Sequence, residues 1–167
     1  MIVEVNSDLV GHVVNILNDS YRVGPSWTTE KHLVAGQRAT ENTITNEINK
    51  QYKYFLLKDK DQYIGCFNLR RQQNTIEIGG LGVACNRQNS GYGKYLLKKA
   101  EELSCTFHGV SRLIVSVLEP RIELIEFYKR QGYKTTSIKF PFPLDRDVGS
   151  PLVDNLQVIV LEKLLAN

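Results

Sequence analysis

The hydrophobic pattern of the chain changes from a strand period to a helix period near residue 91. Residues 75–84 are rich in β-branched and small residues and contain three glycines, which predicts a strand. From Gly91 onward, four apolar side chains share one face of a helix: Tyr95, Leu96, Ala100 and Leu103. A strand, a glycine-containing loop and a helix in this order predict an α/β unit at the centre of the fold.

Upstream of this unit, the sequence predicts three strands and two helical regions. The strands are expected at residues 2–5, 52–57 and 63–69. Asp8 is expected to cap a helix over residues 9–17, which Gly24-Pro25 ends. A second helical region is expected over residues 28–48, with patchy apolar spacing.

Downstream, a uniformly apolar run at residues 113–118 predicts a strand of the kind buried in parallel sheets. A short helix is expected to begin near Ile122 and stop at Gly132. Two further strands are expected at residues 133–138 and 156–161, the last at an edge or in a hairpin, after an irregular segment from 140 to 151. The combined order predicts an α/β fold, in which a central twisted mixed sheet carries helices on both faces.

The chain has 167 residues, which suits a single domain over residues 1–167. Its N-terminus lacks a signal-peptide pattern, and no apolar run approaches the roughly 18 residues of a membrane span, so a cytoplasmic location is expected. The net charge of +3 is too small and too evenly spread to argue for nucleic acid, but it suits a small polyanionic ligand. Cysteines and histidines lack metal-ligand spacing, so no metal is expected.

The loop before the central helix has the composition of an anion-binding site. The first turn of a helix presents unpaired N–H groups and a partial positive charge, and glycines at 91 and 93 let a ligand approach the backbone. Lys94 is followed by Tyr95 rather than Ser or Thr, and Leu96 stands where a dinucleotide loop has its third glycine. These mismatches argue against both nucleotide loops and leave two alternatives, another phosphate ligand or a tight strand-to-helix turn.

Two motifs in correct order resemble those of the GNAT superfamily of N-acetyltransferases. The first is Leu81-x-Val83 followed by Gln88-x-x-Gly91-x-Gly93. The second, after the strand at 113–117, is Tyr128-x-x-x-Gly132-Tyr133. Short matches around Trp27 and Arg38 are similar to a poorly characterised branch of this superfamily.

The resemblance implies a GNAT-like acyl-CoA N-acyltransferase fold. It implies direct transfer of an acetyl group from acetyl-CoA to a primary amine, on a small molecule or a protein, through a tetrahedral intermediate. A non-catalytic acyl-CoA-binding sensor of the same fold is the alternative. Members of the superfamily are often dimers, although the sequence shows no interface pattern.

The resemblance also implies roles for individual residues. The Val83 N–H is expected to face the acetyl carbonyl, and Tyr128 to act as the acid beside the sulfur. Glu77 is expected to be the general base, although a water chain would serve as well. Trp27 and Arg38 are expected at the acceptor site. The residues expected to bind the cofactor are Leu81, Gly82, Val83, Gln88, Asn89, Ser90, Gly91, Tyr92, Gly93, Lys94 and Arg121.

The sequence departs from the superfamily pattern at two positions. Arg121 stands where many relatives carry an asparagine that touches the pantetheine arm, and Cys85 stands where many carry proline. The glycines at 79, 80 and 82 have two readings, a bulged open strand or a strand packed tightly against a helix.

Overall fold

The computed structural model describes residues 1–166. The strands are β1 (Ile2–Glu4), β2 (Val34–Ala35), β3 (Lys53–Asp59), β4 (Gln62–Gln72), β5 (Thr75–Val83), β6 (Arg112–Leu118), β7 (Lys134–Pro141), β8 (Ser150–Pro151) and β9 (Gln157–Leu164). The α-helices are α1 (Val10–Asn18), α2 (Glu41–Asn49), α3 (Tyr92–Ser104) and α4 (Ile122–Arg130). Within the described residues, one sheet has the order β1-β3-β4-β5-β6-β9-β7, and β2 pairs with β8.

The large sheet is mixed, as the sequence predicts. β5 and β6 are parallel, and every other neighbouring pair in this sheet is antiparallel. Parallel neighbours need a crossover connection, and here α3 provides it. This places the start of α3 at the end of β5, where the sequence predicts the strand-to-helix transition.

Successive side chains of β3 face opposite sides of the sheet, because the side-chain period of a strand is two residues. Phe55 and Leu57 join a core that contains Leu96 of α3. Leu56, between them, joins a second core that contains Leu17 of α1. Two cores on opposite faces confirm the prediction that helices cover both sides of the sheet.

Two predictions for the N-terminal region are wrong. Asp8 does not cap the first helix, because the Asn6 side chain accepts a hydrogen bond from the Asp8 N–H at 3.2 Å and starts a short turn of 3-10 helix. The second helical region is shorter than expected and consists of α2 alone. A capping box between Thr40 and Thr43 starts that helix, whereas the residues before it form turns and β2.

The predicted edge position of the last strand is also wrong. β9 lies between β6 and β7 and bonds to both, so β7 is the edge strand. The other expectation, a hairpin, agrees with the structure in strand direction, since β7 and β9 pair antiparallel, although β8 lies between them in the chain. In the part of the chain that the structure describes, none of the helices has the length and apolar character needed to cross a membrane.

Candidate active site

β5 and β6 separate after a short stretch of pairing. They bond only from Thr75 to Glu77 on β5 and from Arg112 to Ile114 on β6. Beyond that point β6 stays paired with β9 along its length, and β5 stays paired with β4. A gap therefore opens between the second half of β5 and the second half of β6, next to the start of α3.

A bulge bends β5 away from β6. The register with β4 shifts between Cys66 and Asn68, and Gly80 adopts a φ of +55°, a left-handed conformation that favours glycine. Two residues further on, a Cβ on Gly82 would lie 2.8 Å from the Ser20 hydroxyl oxygen. Both readings of these glycines are therefore correct, since Gly80 permits the bulge and Gly82 permits close contact with Ser20 in the helical segment Asp19–Val23, which follows α1.

The N–H of Val83 faces this gap. The Ala84 N–H donates to the carbonyl of Ile64 on the β4 side at 2.9 Å. Backbone groups of successive residues in an antiparallel strand point to opposite sides, so the N–H and carbonyl of Val83 point away from β4. Their direction agrees with the Gln88 side chain, which donates to the Val83 carbonyl at 3.0 Å.

The helical segment after α1 supports the end of β5 at three successive residues. The segment Asp19–Val23 is a π-helical turn, a form often found at functional sites. Asp19 accepts a hydrogen bond from the Cys85 N–H at 2.8 Å, and Tyr21 donates one to the Leu81 carbonyl at 2.7 Å. Ser20, between them, contacts Gly82. The sequence pattern does not predict this turn.

An open cleft of about 440 Å³ lies in front of the start of α3 and is called the helix cleft here. At its floor, Gly91 has a φ of +81° and begins α3. A Cβ on Gly91 or Gly93 would meet no atom within 4 Å, so both backbones are open to the cleft. The lining residues used below are Trp27, Leu81, Val83, Gln88, Asn89, Gly91, Gly93, Lys94, Leu124 and Phe127.

Several residues expected to bind the cofactor do not line the helix cleft. Gly82 faces the helical segment, and the exposed Ser90 hydroxyl donates to the Gln88 carbonyl. Tyr92 packs beside the core around α3. Gln88 does line the cleft, but its amide nitrogen also donates to Ser26 at 2.6 Å, which fixes the loop.

Arg121 is also absent from the cleft, which gives its departure from the superfamily pattern a physical cause. Its side chain is 1% exposed and forms ion pairs with Glu30 at 3.4 Å and with Glu123 at 3.2 Å. Arg22 binds the other oxygen of Glu30 at 3.1 Å and donates to the carbonyls of Gly36 and Val148. Arg121 therefore joins the start of α4 to the N-terminal segment.

A second space of about 130 Å³, called the inner cavity here, lies along β5 from Glu77 to Leu81. Leu81 and Leu124 line both spaces, so the helix cleft and the inner cavity meet at these two residues. Besides Leu81, the inner cavity contains three of the residues singled out from the sequence: Arg38, Glu77 and Tyr128. Trp27, expected at the acceptor site, instead lines the helix cleft, where its ring lies 6.1 Å from that of Phe127.

Tyr128 is held by aromatic packing with its hydroxyl left unbonded. Its ring packs edge-on against Phe127 at 5.2 Å and Tyr133 at 5.6 Å. Burial raises the pKa of the Tyr128 phenol, so the hydroxyl keeps its proton at neutral pH. The hydroxyl makes no hydrogen bond to residues 1–166 and remains available as a donor in the inner cavity.

Glu77 stands where β5 and β6 begin to separate. Its carboxylate lies 3.8 Å from the Arg70 guanidinium and accepts a hydrogen bond from the Ser116 hydroxyl at 3.4 Å. The side chain is 19% exposed, so solvent still reaches it. A carboxylate in this position can receive a proton from a group in the inner cavity, directly or through water.

Sequence reasoning missed two residues of the inner cavity. Tyr21 carries no local signal, because only the folded chain brings its hydroxyl to Leu81. Asn68 has a signal, since it is a polar residue within the otherwise apolar run of residues 63–69. It is 4% exposed, and its amide makes no hydrogen bond to the described part of the chain. Across residues 1–166, no cluster of three His, Cys, Asp or Glu side chains could hold a metal ion.

Solved structures with this fold come from several bacteria. A protein called smu.2055 from Streptococcus mutans aligns with a TM-score of 0.75 and 16% identity over 99% of each chain. The IAA acetyltransferase from Bacillus cereus aligns with a TM-score of 0.72 and 20% identity, again over 99% of each chain. A putative acetyltransferase, yncA, from Salmonella typhimurium, solved with acetyl-CoA, aligns at 0.71 and 14% identity over 100% of this chain and 94% of its own.

These identities are low, so the structural matches establish the fold alone. No curated protein matches the chain. The model of the acetyltransferase (GNAT) family matches residues 10–133, which include β5, the helix cleft and Tyr128. The chain therefore belongs to the acetyltransferase (GNAT) family.

Proposed function

We propose that this protein transfers an acetyl group from acetyl-CoA to a primary amine. The observation that carries the proposal is the meeting of two spaces at Leu81 and Leu124, beside the outward-facing Val83 N–H. One space is open to a helix N-terminus, which suits a phosphate-bearing donor. The other is small and polar, which suits an amine acceptor. Direct transfer at their junction requires no covalent enzyme intermediate.

The residues present fit acetyl-CoA. The exposed backbones of Gly91 and Gly93 leave room for a pyrophosphate against the first turn of α3, and Lys94 adds positive charge. We assign the pyrophosphate to the loop from Gln88 to Lys94. Within that loop, Gln88 braces the backbone, while Asn89, Ser90 and Tyr92 contribute backbone groups. The gap beside Leu81, Gly82 and Val83 receives the pantetheine arm.

Val83 supplies the oxyanion donor in this mechanism. Attack by an amine places negative charge on the acetyl oxygen, and a fixed N–H aimed at that position stabilises the charge. One such donor contributes roughly 3 kcal/mol to lowering a barrier. The donor is a backbone group in a bulged strand held by Tyr21 and Asp19, so it does not reorganise during the reaction.

Tyr128 supplies the proton for the leaving thiolate. It lies on α4, one helical turn after the junction residue Leu124, and lines the inner cavity. Its raised pKa keeps the phenol neutral, and its unbonded hydroxyl is free to donate.

Glu77 accepts the proton of the attacking amine, directly or through a water chain. An alkylamine has a pKa near 10.4, so a proton must leave before or during attack. Replacing Glu77 with Gln tests the role. We expect the rate of the variant to rise with pH toward the pKa of the amine, because only the fraction of amine that is already neutral then reacts. A profile identical to that of the parent would remove Glu77 from the mechanism.

A ligand panel tests the donor, and thiol release tests the transfer. At about 100 times its Kd, acetyl-CoA should raise the unfolding free energy by about 2.7 kcal/mol, whereas ATP and NAD should leave it unchanged. Absence of a shift with acetyl-CoA would overturn the proposal. Binding without thiol release across a broad amine panel would instead favour an acyl-CoA-binding sensor.

A further inference from the structure

One cation of the inner cavity has no ionic partner. The cavity is lined by five charged side chains: Arg22, Glu30, Arg38, Glu77 and Arg146. Four of them form ion pairs within 4 Å, either with one another or with neighbours outside the cavity. Arg38 forms none with residues 1–166, and its guanidinium makes no hydrogen bond to them.

The position of Arg38 is fixed despite this missing partner. The Asn18 side chain accepts hydrogen bonds from the N–H groups of Arg38 and Ala39 at 2.7 and 3.2 Å, and donates to the Ala39 carbonyl at 2.8 Å. The guanidinium lies over the Tyr21 ring, 5.7 Å from its centroid. The half-buried guanidinium therefore lies at the cavity without a carboxylate partner among residues 1–166 and is available to bind an anion.

A second unpartnered group lies nearer the reacting strand. The Asn68 amide lines the same cavity, and it sits beneath the bulge, since a Cβ on Gly79 would lie 3.0 Å from its amide oxygen. A carboxamide both donates and accepts, so it can receive a hydrogen bond from an amine. Tyr21 connects Arg38 to the same strand, because its hydroxyl bonds to Leu81 and its face lies under Arg38.

We propose that the acceptor is a small amine that also carries a carboxylate, bound through Arg38, with its amine beside Asn68 and Leu81. This inference rests on the proposed function and specifies its substrate class. A guanidinium binds a carboxylate through two parallel hydrogen bonds, which orients the ligand as well as attracting it. The small volume of the cavity, about 130 Å³, suits a compact acceptor.

The charges of the cavity argue against a polyamine acceptor. Three guanidinium groups line it, from Arg22, Arg38 and Arg146, against the two carboxylates of Glu30 and Glu77. Both carboxylates already have an arginine partner. A second ammonium group would therefore meet net positive charge without a free carboxylate to bind.

Matched acceptors test the inference. We compare ω-amino acids of two to six carbons and α-amino acids with the amines that lack only the carboxylate, using thiol release from acetyl-CoA. A plain amine cannot form the charged hydrogen bonds between the carboxylate and Arg38. We therefore expect kcat/KM to be roughly 10- to 100-fold higher for the carboxylated acceptor than for its plain-amine counterpart. Binding of every probe to the CoA-loaded protein is measured in parallel.

The R38Q variant separates the carboxylate site from general damage. It should remove the preference, because kcat/KM for carboxylated amines should fall, through a higher KM, much more than kcat/KM for the matched plain amines. R38K should restore part of the preference because it keeps the charge. R71Q is the matched control, since Arg71 is exposed and lines neither space. An unchanged thermal shift with acetyl-CoA identifies folded variants.

Three results would overturn the inference. They are equal or better turnover of plain amines, diamines or peptide N-termini; an equal loss for both acceptor classes in R38Q; and no binding of any carboxylated amine to the CoA-loaded protein. These outcomes leave acetyl-CoA binding intact. Failure of the proposed function is distinguishable, because either acetyl-CoA would cause no thermal shift or no amine of the panel, with or without a carboxylate, would release thiol.

Discussion

The Tyr21 hydroxyl donates a 2.7 Å hydrogen bond to the carbonyl of Leu81, 60 residues further along the chain. Tyr21 belongs to the π-helical turn after α1, and Leu81 lies in the bulged half of β5 where the helix cleft meets the inner cavity. The bond ties the strand that carries Val83 to the helix layer. It also holds the ring on which the Arg38 guanidinium rests.

Replacing Tyr21 with Phe should weaken this support. We expect the unfolding free energy to fall by about 1 kcal/mol, the usual net contribution of one hydrogen bond, and kcat to fall several-fold because Val83 is less well positioned. Urea unfolding and steady-state kinetics measure the two effects. Tyr63→Phe is the control, since the Tyr63 hydroxyl makes no hydrogen bond within residues 1–166. Unchanged kcat in Y21F would show that the bond does not position β5.

Tyr21 should also make the protein less stable at alkaline pH. Burial raises the pKa of its phenol from the ordinary value of 10.0 to about 12. The unfolded chain therefore loses this proton first, so the unfolding free energy falls as pH rises from about 10 to about 12. The measurement is urea unfolding across that range. Y21F should show a shallower decline, and an identical slope would contradict the assignment.

Replacing Tyr128 with Phe should reduce kcat by roughly 100-fold or more, the usual range for loss of a general acid. Acetyl-CoA affinity and melting temperature should stay the same, because the hydroxyl forms no hydrogen bond within the described residues. Since burial raises its pKa, wild-type kcat should show no loss of this acid below about pH 10. Y133F is the matched control, as Tyr133 lines neither space. Equal kcat in Y128F and wild type would remove the assigned role.

Replacing Gly93 with Ala should separate stability from cofactor binding. Gly93 is the second residue of α3, and an added Cβ meets no atom within 4 Å, so the folded protein accepts it and gains a better helix former. The methyl group instead projects where the pyrophosphate is proposed to lie. We expect a higher Kd for acetyl-CoA in calorimetry with no loss of melting temperature. K98A, on an exposed position of the same helix, should leave Kd unchanged. An unaltered Kd for acetyl-CoA in G93A would show that the pyrophosphate does not lie against the first turn of α3.

Replacing Glu30 with Gln should destabilise the protein strongly. Its buried carboxylate joins Arg22 at 3.1 Å and Arg121 at 3.4 Å, so the neutral side chain leaves the buried Arg22 without a carboxylate partner and Arg121 with Glu123 alone. Loss of one member of a buried ion pair costs roughly 3–5 kcal/mol. Denaturant unfolding measures the change, with exposed Glu102→Gln expected to match wild type. A loss below about 1 kcal/mol would show that solvent replaces the carboxylate.

Much of the fold could be predicted locally. The apolar stripe from Tyr95 to Leu103 and the apolar run near Val115 identify a helix and a buried strand, because each pattern depends only on the period of the backbone. Predictions failed where several weak signals competed. Asn6 rather than Asp8 begins the first helical turn, and the position of β9 depends on strand pairing, which has no local signature.

The strand–loop–helix unit, the glycines at 91 and 93 and the family could be predicted from the sequence, because these depend on residues close together in the chain. What surrounds the junction depends on the tertiary structure. It brought Tyr21 to Leu81, buried Arg121 with Glu30, and left Arg38 without an ionic partner within residues 1–166. These relationships join residues far apart in sequence, so their free energies appear only when the sheet and helices pack.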